Sequence, residues 1–592
     1  MGKEQSLLGI FRKRCMNLRN VWKYLKGYRK ECVLGPLFKL LEASFELLIP
    51  LVVARIVDTG IRSGDQGLIL RQCALMIALG LIGLVCAVTA QWFAARAAVG
   101  FAAGLRQGVL SHIFSLSCSQ MDSLGGSNLI TRMTSDINQL QSGVNLTIRL
   151  LLRSPFVVFG AMIMAFTIDL KAAMVFLLVI PILSLVVFGI MLITMPMYKK
   201  VQGALDQVTA AARQNLSGVR VLRAFCMEKK EQQDFEAATE HLTREQVAAG
   251  RISALLNPVT FVIINLAVVI LIRIGALQVE AGILTQGLVI ALYNYMGQIL
   301  VELIKLANLI INITKAAACG SRIESLLSLE PDQKDGTVEK ELTGQVEFSH
   351  VTAAYPGASA PALEDISFRA EPGQIIGIIG GTGSGKSTLV NLIPRLYDIT
   401  SGSLTLDGIP AEDYSLSCLR SQMGIVPQRP RLFRGTLRSN LSWGNENASE
   451  EEMLVALELA QAGDILKDKK EGLDFPVEQD GLNLSGGQRQ RLTIARALLR
   501  KPRILILDDS ASALDYGTEA RLRKSLSSLP CPPTIFIVSQ RAASVRHADL
   551  ILTLEDGRLA GLGTHEELLG SCPVYEEIYF SQFPREVNKD EA

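Results

Sequence analysis

Gly380-Gly381-Thr382-Gly383-Ser384-Gly385-Lys386-Ser387-Thr388 fits the phosphate-loop pattern G-x-x-x-x-G-K-[ST] in full. The apolar run 374–379 before it predicts a buried strand, and 387–396 after it predicts a helix. That context gives the motif its chemistry. The glycines let backbone N–H groups turn inward on a polyphosphate, and a helix N-terminus favours the negative charge. Lys386 is placed to reach the β- and γ-phosphates, and the Ser387 hydroxyl to ligate Mg²⁺.

Working outward, 345–355 and 363–370 alternate like strands, and Asp556-Gly557 predicts a tight hairpin turn. Ile504-Leu505-Ile506-Leu507-Asp508 is an apolar strand ending in a carboxylate suited to holding Mg²⁺, directly or through water. Leu484-Ser485-Gly486-Gly487-Gln488 heads a helix over 489–500 and offers a second anion-binding N-terminus with a serine hydroxyl. Two phosphate cradles about a hundred residues apart need not serve the same nucleotide.

The other half of the chain is far more apolar. At 592 residues the length predicts several domains. Six stretches centred on 33–58, 70–95, 146–168, 172–196, 256–277 and 281–304 are long enough to cross a bilayer. Between them, 96–145 and 197–255 are long, charged and helix-rich, which predicts crossing helices that run well beyond the membrane. Residues 1–30 are basic, and Leu18, Val21, Trp22 and Leu25 recur at helical spacing, which predicts a short interfacial helix on the cytoplasmic side. Six crossings then return the chain to the cytoplasm, where ATP is. The expected organisation is 1–30 cytoplasmic N-terminus, 31–320 membrane domain, 321–343 polar linker, 344–585 nucleotide-binding domain and 586–592 tail. The ten cysteines are scattered singly without a C-x-x-C pair, as for reduced thiols. A net charge of +2 gives no basis for a nucleic-acid partner. The absence of a targeting signal leads to the expectation of a bacterial plasma membrane.

Polar residues interrupt the spans. Lys39, Glu42 and Glu46 share one face of the first; Asn294, Gln298 and Glu302 follow at i, i+4 and i+8 in the sixth, ahead of Lys305. Charge inside a membrane needs a partner or a wet cavity. Two readings stay open: a cavity lined for a polar or cationic substrate, or groups near the cytoplasmic ends that water already reaches.

Taken together, these motifs make the chain resemble an ATP-binding cassette (ABC) exporter half-transporter along nearly its whole length. The resemblance implies a polytopic α-helical membrane domain of six transmembrane helices fused to a C-terminal α/β P-loop ATP-binding cassette domain. It implies that Tyr355 stacks on adenine and that Gln428 senses Mg²⁺ alongside Ser387 and Asp508. Leu484-Ser485-Gly486-Gly487-Gln488 matches the family signature, and Ser512-Ala513-Leu514-Asp515 the loop that crosses the dimer interface. Ser127 to Asp136 resembles the first cytoplasmic loop and Asn215 to Val221 the second. Two chains pair head to tail in the family, with ATP between the phosphate loop of one and the signature of the other.

Two positions depart from the pattern. The residue after Asp508, usually a glutamate that polarises the attacking water, is Asp509, and the switch position, usually histidine, is Gln540. Aspartate sets its carboxylate back by roughly one C–C bond, ~1.5 Å, and a misplacement of ~1 Å can slow chemistry ~10²-fold. Glutamine can hydrogen-bond a phosphate but cannot carry its proton or charge. The expectation is a site that binds ATP and hydrolyses it slowly, in a chain whose intact signature completes the site of a different half-transporter. A homodimeric exporter with Asp509-assisted turnover and an ATP-gated, channel-like protein remain alternatives. The substrate is not legible: drugs, lipids, peptides and siderophores all fit. Six apolar spans exclude a soluble ATPase of the same nucleotide fold.

Overall fold

The computed structural model describes residues 18–467, 471–510, 514–529 and 531–583. Ser512 and Ala513 of the expected interface loop, the first seventeen residues and the tail 586–592 lie outside them. The chain divides into two units. One runs through His112 and resumes over Ser127–Leu329; the other comprises Ile113–Gly126 and the chain from Glu330 onward.

The first unit is helical. Among the described residues, five helical stretches are long and apolar enough to cross a membrane: Gln66–Ser115, Gly126–Ile168, Leu170–Ser217, Glu228–Glu280 and Gln286–Leu327. The first expected span is the helix Arg29–Arg55, 27 residues long but carrying Lys39, Glu42 and Glu46, so its length suffices while its composition is mixed. The helix count is thus five by composition, with the sixth resting on length. At ~1.5 Å per residue, the 50-residue helix Gln66–Ser115 and the 48-residue helix Leu170–Ser217 far exceed a hydrocarbon core of about 30 Å. Hydropathy marked only their apolar middles.

Asp169 makes the turn between two of these stretches by itself. It is extended (φ −158°, ψ 133°), and its carboxylate accepts the N–H of Ala172 at 2.7 Å, capping Leu170–Ser217. The core is built on Phe176, Leu183, Leu271 and Tyr295 with Ala161 and Ala291 between them. Small residues admit close approach: a Cβ at Gly160 would sit 2.5 Å from Leu47 Cδ1, and one at Gly143 would collide with Ala316 Cβ.

Several expectations can be set against the elements here. Of the N-terminal apolar residues, Leu18 and Val21 are buried while Trp22 is 36% exposed, and the Glu324 carboxylate accepts the N–H groups of Asn20 and Val21. Ser127 to Asp136, likened to the first cytoplasmic loop, is helical: helix Gly126–Thr131 and a π-helical turn Arg132–Asp136, where buried Asp136 is held by Arg322. The break between long helices lies earlier, at the short helix Cys118–Leu124, capped reciprocally by Ser117 and Gln120. The second expected loop does fall on a break: Leu170–Ser217 ends, Gly218 follows and Val219–Ala224 forms one short helix. Lastly, helix Gln286–Leu327 continues into the stretch read as linker.

The second unit is α/β. Its six-stranded sheet runs Arg558–Gly563, Leu550–Glu555, Ile375–Gly380, Thr534–Val538, Ile504–Asp508, Met423–Val426, with all pairs parallel except the first. Every residue of Ile504–Asp508 is buried, as continuous apolar runs are in parallel sheets covered on both faces. A four-stranded antiparallel sheet, Leu363–Ala370, Val346–Ala353, Ser401–Leu406 and Ile409–Pro410, shares a core with it through Phe348, Phe368, Ile376 and Leu389. The helices Glu450–Leu459 and Gly486–Leu498 pack over a separate apolar cluster. The carboxyl ends of the parallel strands therefore carry Gly380, Asp508 and Val538 to one edge, the usual ligand-binding edge of such sheets.

Candidate functional site

At that edge one cleft is lined by Tyr355, Ala362, Thr382, Gly383, Gly385, Lys386, Ser387, Thr388, Gln428, Asp508, Asp509, Val538, Ser539 and Gln540. The loop leaves the strand Ile375–Gly380 and enters the helix Lys386–Leu392 at Gly385, whose φ is 93°. Only glycine suits this place, because a Cβ would also stand 2.7 Å from the Ala362 carbonyl oxygen. Lys386 Nζ donates to the Gly380 carbonyl at 2.8 Å, to the Gly381 carbonyl and to Ser384 Oγ at 3.3 Å. Burial pulls its pKa down, and the carboxylates of Asp509 and Asp508 oppose that. The ammonium thus sits inside its own loop, where a phosphate oxygen can replace a carbonyl as acceptor with little movement.

Ser387 Oγ donates to Asp508 Oδ1 at 3.0 Å. Burial raises the Asp508 pKa, and the Ser387 hydroxyl works against it. Asp509 follows with φ 46°, its N–H on the Val538 carbonyl at 3.0 Å. This turn swings its carboxylate toward Gln428, whose Nε2 stands 3.5 Å from Oδ2. Gln540 is exposed at the mouth. Tyr355 Oη lies 3.1 Å from Thr388 Oγ1, and its ring meets Tyr397 edge-on, with centroids 5.2 Å apart.

Sequence reasoning missed Tyr397 and Asp122. The Tyr397 hydroxyl donates to Asp122 Oδ2 at 2.5 Å, which ties the short helix Cys118–Leu124 to the neighbourhood of Tyr355. Burial, reinforced by Asp122, raises the Tyr397 pKa. The two residues are 275 apart in the chain, so no local pattern joins them.

The signature stands elsewhere. None of Leu484, Ser485, Gly486, Gly487 and Gln488 lines the cleft. Ser485 caps the helix Gly486–Leu498: its Oγ accepts the Gln488 N–H at 3.2 Å, while Gln488 Oε1 accepts the Ser485 N–H at 3.0 Å. Leu484 is buried; Ser485 and Gly486 are exposed. Of the interface loop, Leu514 is buried and Asp515 caps the helix Tyr516–Ser527 through the N–H of Thr518 at 2.8 Å.

In the helical unit, neither reading of the polar residues describes Glu302. It is 3% exposed and internally partnered. Arg153 Nη1 donates to it at 2.6 Å, Ser154 Oγ at 2.8 Å and Lys305 Nζ at 2.9 Å. Arg153 also reaches Glu46 at 2.6 Å, and Lys39 pairs with Glu42 at 2.6 Å. A buried carboxylate with three donors is structurally satisfied. The overlooked signal was Arg153, one of two cations, with Arg149, within the third apolar stretch.

Comparison with known proteins agrees with both units. The family model described as ABC transporter transmembrane region matches residues 32–303, and the one described as ABC transporter matches 363–512. The uncharacterized ABC transporter ATP-binding protein YfiB of Bacillus subtilis is 37% identical over 570 residues, covering 96% of this chain and 99% of the relative. An uncharacterized ABC transporter ATP-binding protein of Mycobacterium tuberculosis is likewise 37% identical, over 95% of this chain and 97% of its own. The ATP-dependent lipid A-core flippase of Yersinia pestis is 29% identical over 571 residues, with the same coverages of 95% and 97%. The chain belongs to the ABC transporter family: it is an exporter-type half-transporter, a multi-pass membrane protein whose ATPase domain drives transport.

Proposed function

We propose that this chain is the slow-site half of a heterodimeric exporter. The observation that carries the reading is the floor of the cleft, where Asp509 stands in the position of the catalytic base with its short carboxylate directed to Gln428 at 3.5 Å. Gln540 at the mouth can hydrogen-bond a phosphate but has no titratable group to take up or release a proton. ATP binds with adenine on Tyr355, the triphosphate in the loop Gly380 to Thr388, and Lys386 on the β- and γ-phosphates. The Ser387 hydroxyl, the Asp508 carboxylate and the Gln428 amide oxygen form a hard oxygen set that suits Mg²⁺, which takes its remaining ligands from phosphate and water. When bound, the ion neutralises charge between the phosphates.

The signature of this chain serves a second chain. Ser485 and Gly487 do not line this chain's own cleft, so a closed site calls for a second half-transporter, with Leu514 and Asp515 between the two. The partner's ATP then meets an intact signature and is the one hydrolysed. We place the termini in the cytoplasm of a bacterial plasma membrane, the membrane domain over 31–320 and the nucleotide-binding domain over 344–585. The flippase relative acts on lipid A-core, by its name, which brings amphipathic lipid forward among the open substrate classes. A homodimer is the second reading, favoured by the carboxylate that Asp509 retains.

The test is the ATPase rate of the purified chain alone in lipid. Little hydrolysis alone, restored by co-expression with a second half-transporter bearing glutamate and histidine at the two altered positions, is the expected result. Rates usual for transporters from the lone chain replace the heterodimer with the homodimer.

A further inference from the structure

The C-terminal helix Pro573–Gln582 ends beside the loop that carries Gln540. Gln582 Nε2 donates to the Gln540 carbonyl at 2.8 Å, and Gln582 Oε1 accepts the N–H of Ala542 at 2.9 Å. One primary amide thus spans the backbone on both sides of Arg541. Its orientation is forced, because a carbonyl needs a donor and an N–H needs an acceptor. Ala542 opens the helix Ala542–Val545, and its N–H has no acceptor within that helix; Gln582 supplies one. On the other side, Ser539 Oγ accepts the Arg541 N–H at 3.0 Å, and the Arg541 guanidinium lies 5.5 Å from the centre of the Tyr516 ring.

The amide is held by a helix that is itself fixed. Tyr575 is fully buried and shares a cluster with Ile379, Ala542 and Val545. Ile379 immediately precedes the phosphate loop, and Ala542 follows the switch loop by two residues. Past the amide, Phe583 packs on Tyr579 with ring centroids 5.0 Å apart. The same helix therefore rests on the strand feeding one side of the cleft and clamps the loop forming the other.

We propose that Gln582 is a positioning residue for the nucleotide site: its amide clamps the backbone of Gln540 and Ala542, and so sets where the Gln540 side chain meets the γ-phosphate. The clamp discriminates ATP from ADP, because only ATP carries the phosphate that Gln540 reaches. This rests on the proposed role of Gln540 as the γ-phosphate contact at this chain's own site.

The test measures MgATP and MgADP affinity at this chain's site, in the assembled transporter carrying Ser485→Arg in this chain so that the opposite site stays unsandwiched. Gln582→Met keeps the side chain's length and removes both hydrogen bonds. It is expected to weaken MgATP about threefold, a fraction of what the two hydrogen bonds contribute together, with MgADP affinity unchanged. Gln582→Glu retains the acceptor for Ala542 but sets a carboxylate against the Gln540 carbonyl, so its loss is at least as large. Gln540→Ala lowers the same ATP-to-ADP ratio, and the double variant with Gln582→Met falls no further, as residues acting in series do. Equal losses for ATP and ADP, or a wild-type ratio in Gln582→Met beside an altered one in Gln540→Ala, overturn the positioning role alone. An unchanged ratio in Gln540→Ala removes the reading of Gln540 itself, and the clamp's role falls with it.

Discussion

Two helix N-termini in this chain carry anion-binding sequence patterns, and they are finished differently. At Lys386–Leu392 the capping residue is Gly385, which offers no side chain, and the cleft around it is walled by the chain's own Tyr355, Asp508 and Gln540. At Gly486–Leu498 the cap is Ser485, locked reciprocally with Gln488 and exposed. The first terminus leaves its backbone donors for a ligand and surrounds them. The second satisfies its own and stands in the open. A serine hydroxyl accepts at two lone pairs and donates once, so Ser485 can cap its helix and still donate to a phosphate presented by another surface. On the proposed reading, the contrast is that one cradle holds a nucleotide and the other completes one.

The sharpest way to break the comparison is Ser485→Arg. On the proposed reading Ser485 lies against the γ-phosphate of the partner's ATP, where a donor stabilises developing charge. Loss of one such donor slows chemistry ~10²–10³-fold, and a bulky cation adds obstruction. Losing the cap itself weakens the helix by only about 1 kcal/mol. Steady-state hydrolysis by the assembled complex under saturating MgATP is expected to fall at least ~10²-fold. A rate within a few-fold of wild type would mean that Gly486–Leu498 does not complete a working site.

Lys386→Ala probes the first cradle and has the middle effect. It removes the ammonium from the loop and from the phosphates, and charge-assisted hydrogen bonds are worth ~1.5–3 kcal/mol each. Nucleotide retained at this chain's site, counted after rapid desalting, is expected to be lost. Hydrolysis by the complex should fall only about tenfold, since roughly 1.4 kcal/mol of weakened closure removes no catalytic group. Retention of nucleotide by the variant would detach Lys386 from the phosphates.

What was legible in the sequence follows from range. The phosphate loop is local, and its strand, glycines and helix stand where the pattern puts them. So does the hairpin at Asp556-Gly557, whose φ values of 45° and 81° are those of a type I′ turn. The helix break at Cys118–Leu124 was not singled out, although Ser117-x-x-Gln120 is a capping-box pattern and Gly125, with φ 74°, a stop. The Arg153 pairs with Glu302 and Glu46 span 149 and 107 residues, and Tyr397 with Asp122 spans 275. Period and motif carry no information at that distance, so the sequence left the charges in the spans between a substrate cavity and water-reached ends, when Glu302, Glu46 and Arg153 are one another's partners. Gln582 escaped for the same reason, standing 40 residues from Ala542 and 42 from Gln540.

Asp509→Ala is the smallest expected effect and the most discriminating. If the first cradle is the slow one, little of the measured hydrolysis passes through Asp509, and the complex should keep its rate within about twofold. Removing a working general base instead slows a reaction about 10²–10⁴-fold, so the two readings differ by far more than assay error. The geometry gives the reason for expecting the small effect. Asp509 takes its place with a left-handed backbone and a carboxylate 3.5 Å from the Gln428 amide, one methylene short of where a glutamate would put its oxygens. Asp509→Glu restores that methylene and tests reach alone. A rise in turnover at this site would show that length was limiting; no rise leaves Gln540, which carries no exchangeable charge, as the second deficit. Should Asp509→Ala prove as damaging as Ser485→Arg, the roles of the two cradles are reversed, and the enclosed site is the one that turns over.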